Sequence, residues 1–202
     1  MQIRLVSTKE DRELVFRLRY EIYVGGMGRT QKCADHSARK IEEPLDDKAH
    51  LFGAFEDRLI GTVRTNLARD GSLGYYDDLY NTKCVGRAYP SGVSITTKLM
   101  VEPEHRGGRA GLYLAMAVYR HNIELGIEFD FIDCNDHLIP FFTGLGYRMY
   151  REPIVHPEFG RVTPMLLRTG DLKHFEAMRS PFAGILRTVT RERSRSSAME
   201  AM

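Results

Sequence analysis

The stretch TTKLMVEPEHRGGRAGLYLAMAVYRH, residues 96–121, changes period in the middle. Its first residues complete VSITTKLMV (93–101), a β-branched, apolar run that reads as a strand. Pro103 and a Gly/Arg loop follow. From about Gly111 to Leu125 the spacing is helical, with Leu112, Ala115, Met116, Tyr119 and Ile123 on one face. A helix N-terminus offers unpaired N–H groups and the positive end of a dipole. Gly107 and Gly108 let a backbone approach an anion, and Arg106 and Arg109 add charge. The loop therefore predicts a phosphate site, although no G-x-G-x-x-G dinucleotide fingerprint is present.

On the N-terminal side, STKEDRELVFRLRYEIYV (7–24) predicts an amphipathic helix. Ser7 and Glu10 have capping-box spacing, and Leu14, Leu18 and Ile22, with Val15 beside them, form its apolar stripe. Residues 25–44 show no period, and a loop that long is usually functional or mobile. HLFGAFED and RLIGTVRTNL read as a hairpin turning at Glu56–Arg58. Residues 71–92 are irregular. On the C-terminal side come a strand at IEFDFIDC (127–134) and a short helix turning at Gly144 and Gly146. RVTPMLLR (161–168) reads as a last strand, whose Pro164 suggests an edge or bulge, and a helix follows near Asp171. The order predicts an α/β (α+β) domain with a mixed, mostly antiparallel sheet flanked by helices and one parallel crossover.

The 202 residues suit one core, so residues 1–186 read as a single domain. From Arg187 to Arg195 there are four Arg against one Glu, and 187–202 reads as a basic tail that is disordered rather than packed. The formal charge of +2 argues against nucleic acid as a partner. No apolar run approaches the ~18 residues of a membrane span, and the charged start MQIRLVSTKEDRE does not resemble a signal peptide. Cys33, Cys84 and Cys134 are odd in number and lack metal-ligand spacing. A cytoplasmic protein with buried thiols and no metal is expected.

The loop Arg106-Gly107-Gly108-Arg109-Ala110-Gly111 resembles the Gln/Arg-x-x-Gly-x-Gly/Ala loop of the GNAT superfamily of acyltransferases. Arg106 and Gly111 match, and Arg109 stands where the family has glycine. FFTGLGYR (141–148) resembles the second family signature, with Phe142 in place of its usual tyrosine. FRLRYEIYV (16–24), EEPLDD (42–47) and GTVRTNL (61–67) are similar to blocks of N-acyl amino acid synthases (FeeM-type) and acyl-homoserine-lactone synthases. Ile95 and Lys98 stand where the lactone synthases carry Glu and Arg, which counts against that activity.

The resemblance implies a GNAT fold and an N-acyltransferase. It would move a fatty acyl group from acyl carrier protein or acyl-CoA to a small-molecule amine, with an amino acid as the favoured acceptor. Leu99, Met100, Val101 and residues Arg106, Gly107, Gly108, Arg109, Ala110 and Gly111 would hold the donor's pantetheine arm and phosphate. Glu43 and Asp46 become the candidate bases. Arg19 and Arg64 would bind a substrate carboxylate or anchor the acidic loop, and Phe142 would line the substrate site. Arg109 beside Arg106 leaves less room and more charge than a pyrophosphate needs, which favours the carrier protein. An acetyl-CoA-dependent N-acetyltransferase and a non-catalytic thioester-binding module are the rival readings. His36, His50, His137 and His156 are further candidate bases, and Cys134 a candidate nucleophile.

Overall fold

The computed structural model describes residues 1–71 and 73–200. In chain order the elements are β1 (Gln2–Leu5), α1 (Lys9–Tyr20), β2 (Ala34–Asp35), β3 (Lys40–Ile41), β4 (His50–Phe55), β5 (Leu59–Leu67), α2 (Tyr76–Tyr80), β6 (Val93–Val101) and α3 (Ala110–Glu124). There follow β7 (Phe129–Cys134), α4 (Ile139–Leu145), β8 (Arg148–Met149), β9 (Ile154–His156), β10 (Gly160–Arg168), α5 (Leu172–Ala177) and α6 (Phe182–Glu200). The eight-stranded sheet runs β1-β4-β5-β6-β7-β10-β8, with β9 also on β10. Every pair is antiparallel except β6–β7, which α3 connects. The predicted mixed, mostly antiparallel sheet with one crossover is what the chain forms.

Helices cover both faces. Val15, Phe16, Leu18 and Ile22 of the α1 region pack with Leu51, Leu59 and Met100. Tyr76 and Tyr80 of α2 cover Val93, Ile95 and Phe131 on the same side. On the opposite face α3 contributes Tyr119 and Ile123 to a core with Ile132, Met165, Phe175 and Phe182. Leu112, Ala115 and Met116 lie against that core, as the helical spacing predicts.

Several local expectations are corrected. The cap of α1 is Thr8, whose side chain accepts from Asp11 N, one residue later than the Ser7–Glu10 spacing suggests. Leu14 is 47% exposed, because the buried face turns through Val15, Phe16, Leu18 and Arg19. The stretch after α1 is not wholly irregular. A π-helical turn spans Glu21–Gly26, and β2 and β3 form a small ribbon. Strand β1 has four residues, too few to show a period, and is recognised only by its pairing with β4. Pro164 sits inside β10, paired with Asp133 of β7. On the outer side it falls between the β9 pairs, ending at Val162, and the β8 pairs, starting at Met165, so its missing N–H breaks no outer ladder bond there.

The basic stretch from Arg187 continues α6 to Glu200 instead of leaving the domain. Val189 is buried in the core beside Phe182, Arg193 donates to the carbonyl of Glu124 at 3.0 Å, and Arg120 bonds Glu192 at 3.0 Å. One buried valine and these polar contacts to α3 hold a segment whose charge alone suggests solvent. The expected tail's last two residues, 201–202, lie outside the described residues.

Candidate active site

The site begins where two strands part. β6 and β7 pair at Val93–Phe129, Ser94–Asp130 and Ile95–Phe131, and then no further. Both strands run on, to Val101 and Cys134, so β6 from Thr96 onward has no partner strand on its β7 side. A row of unpaired backbone groups is a template for an extended chain. At its open end stands the N-terminus of α3. The first helical bond runs from Tyr113 N to Arg109 O, so the amides of Ala110, Gly111 and Leu112 precede the ladder. Gly107 takes φ +80, which favours glycine. Arg106 and Arg109 are exposed beside it. Arg106 Nε donates to Val101 O at 3.1 Å, and Arg109 Nη1 to Tyr113 OH at 3.4 Å. Glu102 and Glu104 share the loop, so its charge is less one-sided than its arginines suggest.

The other edge of β6 carries a bulge. Thr62 faces Met100 and Arg64 faces Thr97, which leaves Lys98 and Leu99 together opposite Val63. Lys98 adopts φ +56, unusual for a residue with a side chain. The consequence is a change of face. Thr97 accepts from Arg64 Nε at 2.9 Å, and Lys98 Nζ lies 2.6 Å from Glu43 Oε1, so two successive side chains point to the α1 side. Regular alternation would have sent Lys98 to the α3 side.

Around Lys98 is a buried charge cluster. Arg19 Nη1 donates to Asp46 Oδ2 at 2.7 Å. Arg64 Nη1 donates to Glu43 Oε2 at 2.7 Å and to Asp46 Oδ1 at 3.2 Å. The Pro44–Asp46 turn builds itself around this cluster, since Asp46 Oδ2 also accepts from Glu43 N at 2.7 Å. Arg19, Asp46 and Arg64 are fully buried. Arg19 Nε and Nη2 and Arg64 Nη2 have no hydrogen-bond partner, so donors are in excess. Burial pushes Asp46 up, but Arg19 and Arg64 outweigh it and bring its pKa down to about 2. Burial likewise pushes Glu43 up, and Arg64 and Lys98 overcome it, leaving it below its ordinary value. For Lys98 the desolvation of its ammonium dominates: its pKa is lowered despite Glu43. Its Nζ also sits 5.1 Å from the Tyr23 ring centroid and 4.9 Å from that of Phe159.

His156 completes this wall. Its Nδ1 accepts from Glu158 N at 3.0 Å and its Nε2 meets Tyr75 OH at 3.2 Å. Burial, followed by the charge of Lys98, pulls its pKa down to about 4, so it is neutral at pH 7. Across the split, β7 carries two aspartates on opposite faces. Asp130 accepts from Ser94 Oγ at 2.6 Å, Thr96 Oγ1 at 2.9 Å and Tyr147 OH at 2.5 Å on the α3 side. Asp133 lies on the α2 side with Tyr80.

The structure brings Arg19, Glu43, Asp46 and Arg64 together, as the resemblance implied, but gives them defined places. Both guanidiniums bond the acidic turn and neither reaches solvent, so anchoring is the reading the geometry supports over a substrate carboxylate. Asp46 has no solvent access and Glu43 holds two cations, which makes both poor bases. Phe142 is 7% exposed and packs edge-on against Tyr147 at 5.7 Å, in the core rather than lining an opening. Cys134 is buried against Met165 Sδ at 3.6 Å. Burial pushes its thiol up to about 12, which removes it as a nucleophile. His36 bonds Tyr20 OH at 3.0 Å and His50 pairs with His121 at 2.8 Å; His137 is exposed. Not legible in the sequence are Tyr23, Asp133 and the neighbouring Glu158 and Phe159, which come from three segments distant along the chain. The closely spaced HPEF (156–159) was the one available signal.

An open edge between two parallel strands, with a helix N-terminus at its mouth, fits an acyltransferase of GNAT-like fold, and comparison with known proteins bears out the class. The sequence profile of the N-acyl amino acid synthase FeeM matches residues 14–169, and the chain belongs to that family. No curated relative matches the sequence. Among solved structures, FeeM from uncultured soil microbes is 17% identical with a TM-score of 0.67, over 91% of this chain and 96% of that one. The CoA-dependent acyl-homoserine lactone synthase BjaI is 17% identical with a TM-score of 0.69, over 89% and 90%. A Lactobacillus plantarum protein assigned to the N-acetyltransferases is 17% identical with a TM-score of 0.61, over 83% and 97%. The chain is an N-acyltransferase that transfers an acyl group to an amine. Among the described residues no helix is long and apolar enough to cross a membrane, and no cluster has metal-ligand geometry.

Proposed function

We propose that the protein joins a fatty acyl group, delivered on the phosphopantetheine of acyl carrier protein, to the amine of an amino acid. The observation that carries this reading is the unpaired edge of β6 from Thr96 to Val101, which ends at the α3 amides. A pantetheine arm carries amides that can continue the sheet there. Its phosphate then meets the backbone N–H groups of Ala110, Gly111 and Leu112, with Arg106 and Arg109 at the rim. Backbone N–H groups of Leu99, Met100 or Val101 would polarise the thioester carbonyl, a contribution of about 3–4 kcal/mol where such donors are removed. The family supports an amino acid as acceptor. Acyl-CoA is the second reading, favoured by the CoA dependence named for BjaI.

Wild-type protein offered acyl carrier protein and CoA with the same acyl group, and a panel of amino acids, should release free thiol and yield N-acyl amino acids by mass spectrometry. Thiol release without an amide product would refute the acceptor assignment. Arg109→Gly separates the donors. It opens space for a pyrophosphate and removes an exposed cation from the carrier-protein side. The carrier-protein kcat/KM should fall by about 1–3 kcal/mol equivalent, with a smaller loss at high salt, while CoA use holds or improves. Equal losses for both donors would make Arg109 a generic phosphate ligand and leave the carrier-protein reading without this support.

A further inference from the structure

With Glu43 and Asp46 held by cations, the acceptor ammonium needs another base, and the geometry points to Asp133. We propose that Asp133 is the catalytic proton acceptor for the incoming amine, reaching it from the α1/α2 side of the gap between β6 and β7. The proposal rests on an amine being the acceptor and not on which amine it is. Phe131 is the last residue of β7 paired to β6, opposite Ile95. Continuing that register brings Asp133 level with Thr97, next to Lys98, where the two strands no longer bond. Asp133 therefore flanks the place where a thioester lying along β6 would present its carbonyl.

One oxygen of its carboxylate is also unsatisfied. Oδ2 is buried and makes no hydrogen bond, and Asp133 is in none of the ion pairs formed among the described residues. Buried polar atoms are nearly always partnered, so an orphan acceptor at a cleft asks for a donor from outside. An ammonium supplies three. The groups that face Asp133 are Tyr80 of α2, Tyr150 and Lys98 of β6, while Cys134, next along its strand, points to the opposite face. Tyr80 OH approaches it without meeting hydrogen-bond geometry, and that hydroxyl too lacks a partner. Burial raises the Asp133 pKa to about 6, with Tyr80 and Lys98 opposing. The group is thus ionised at pH 7 and more basic than either paired carboxylate. Asp130, raised to about 6 by the same cause, is fully engaged by three hydroxyls on the other face.

The proton balance is simple. Asp133 takes one proton from R–NH3+, and the neutral nitrogen attacks the thioester carbon to form the C–N bond. Collapse breaks the C–S bond. The second proton leaves nitrogen for the departing thiolate, and Asp133 returns the first to solvent, so no other reactant is required.

The test compares Asp133→Asn with wild type at pH 8, using an amino acid and then hydroxylamine, an acceptor already neutral there. The expected result is a loss of about 10²-fold or more in kcat with the amino acid, near-wild-type turnover with hydroxylamine, and an unchanged KM for the thioester. Wild-type activity toward the amino acid should fall as pH drops through about 6, because the carboxylate form is the active one. Asp133→Asn should lose that inflection. An equal loss with both acceptors would overturn the proposal and make Asp133 structural, as would an Asn variant with wild-type activity. If the variant does not fold, a wild-type profile flat through pH 6 overturns it alone. A wild type that acylates no amine at all removes both this assignment and the activity it rests on.

Discussion

Asp46→Ala should lower the unfolding free energy by about 3–5 kcal/mol, because it leaves buried cations without their counter-charge. Asp46 bonds both Arg19 and Arg64, and all three are fully buried. Arg19 has no other ion pair among the described residues, and two of its nitrogens are unpartnered already. The same pairing sets an acid limit. The pKa of Asp46 is depressed from 3.8 to about 2 in the fold, so its contribution is complete above the unfolded value. It is lost as pH falls from there through about 2. Urea unfolding at pH 7 and near pH 3 measures both effects: wild type should weaken between them through this group, and Asp46→Ala should lack that share of the slope. A loss at pH 7 no larger than the ~1 kcal/mol of a surface pair would show that the cluster is not what holds the acidic loop.

Gly146→Ala is the other large effect, expected at about 2–6 kcal/mol from a positive-φ cost added to overpacking. Gly146 ends α4 at φ +112. A β-carbon there would sit 2.7 Å from Cδ1 and Cε1 of Phe175, a side chain with no exposure in the core under α5. Gly144, two residues earlier in the same signature, is exposed within α4 with nothing within 4 Å of a β-carbon. Gly144→Ala should be neutral or stabilise by up to about 1 kcal/mol, the helix preference for alanine. Thermal melts of the two variants should therefore shift in opposite directions or differ widely. Similar shifts would refute the account of why FFTGLGYR needs its second glycine.

The features that local sequence does not show share a cause. The helical spacing predicts α1 but puts Leu14 on its buried stripe, because the true face includes Arg19, whose burial depends on Asp46 across 27 residues. The arginines of 187–202 predict a solvated tail, yet Val189 and contacts from Glu192 and Arg193 to α3 hold the start of this segment. IEFDFIDC showed two aspartates three residues apart, which places them on opposite faces of a strand. Nothing local says which face borders a cleft. That follows from where β6 stops pairing with β7, a fact about residues 36 apart in sequence on two strands joined by a helix.

By itself the sequence determined the order of the main elements from α1 to β10, the single parallel crossover, the glycine-rich entry to α3 and the family to which these blocks belong. Those features are written in local period and local chemistry, which survive without knowing what lies opposite. Only the tertiary structure decided what the charged residues do. Arg19, Glu43, Asp46 and Arg64 were legible as a group, but whether each binds substrate or its neighbours turns on burial, which no spacing reports. Lys98 is the sharpest case. Alternation along VSITTKLMV puts it on the α3 side, and a bulge opposite Val63 turns it to Glu43 instead. The strained φ of +56 is held by partners from three other segments, so the residue's position belongs to the fold and not to its own stretch of chain.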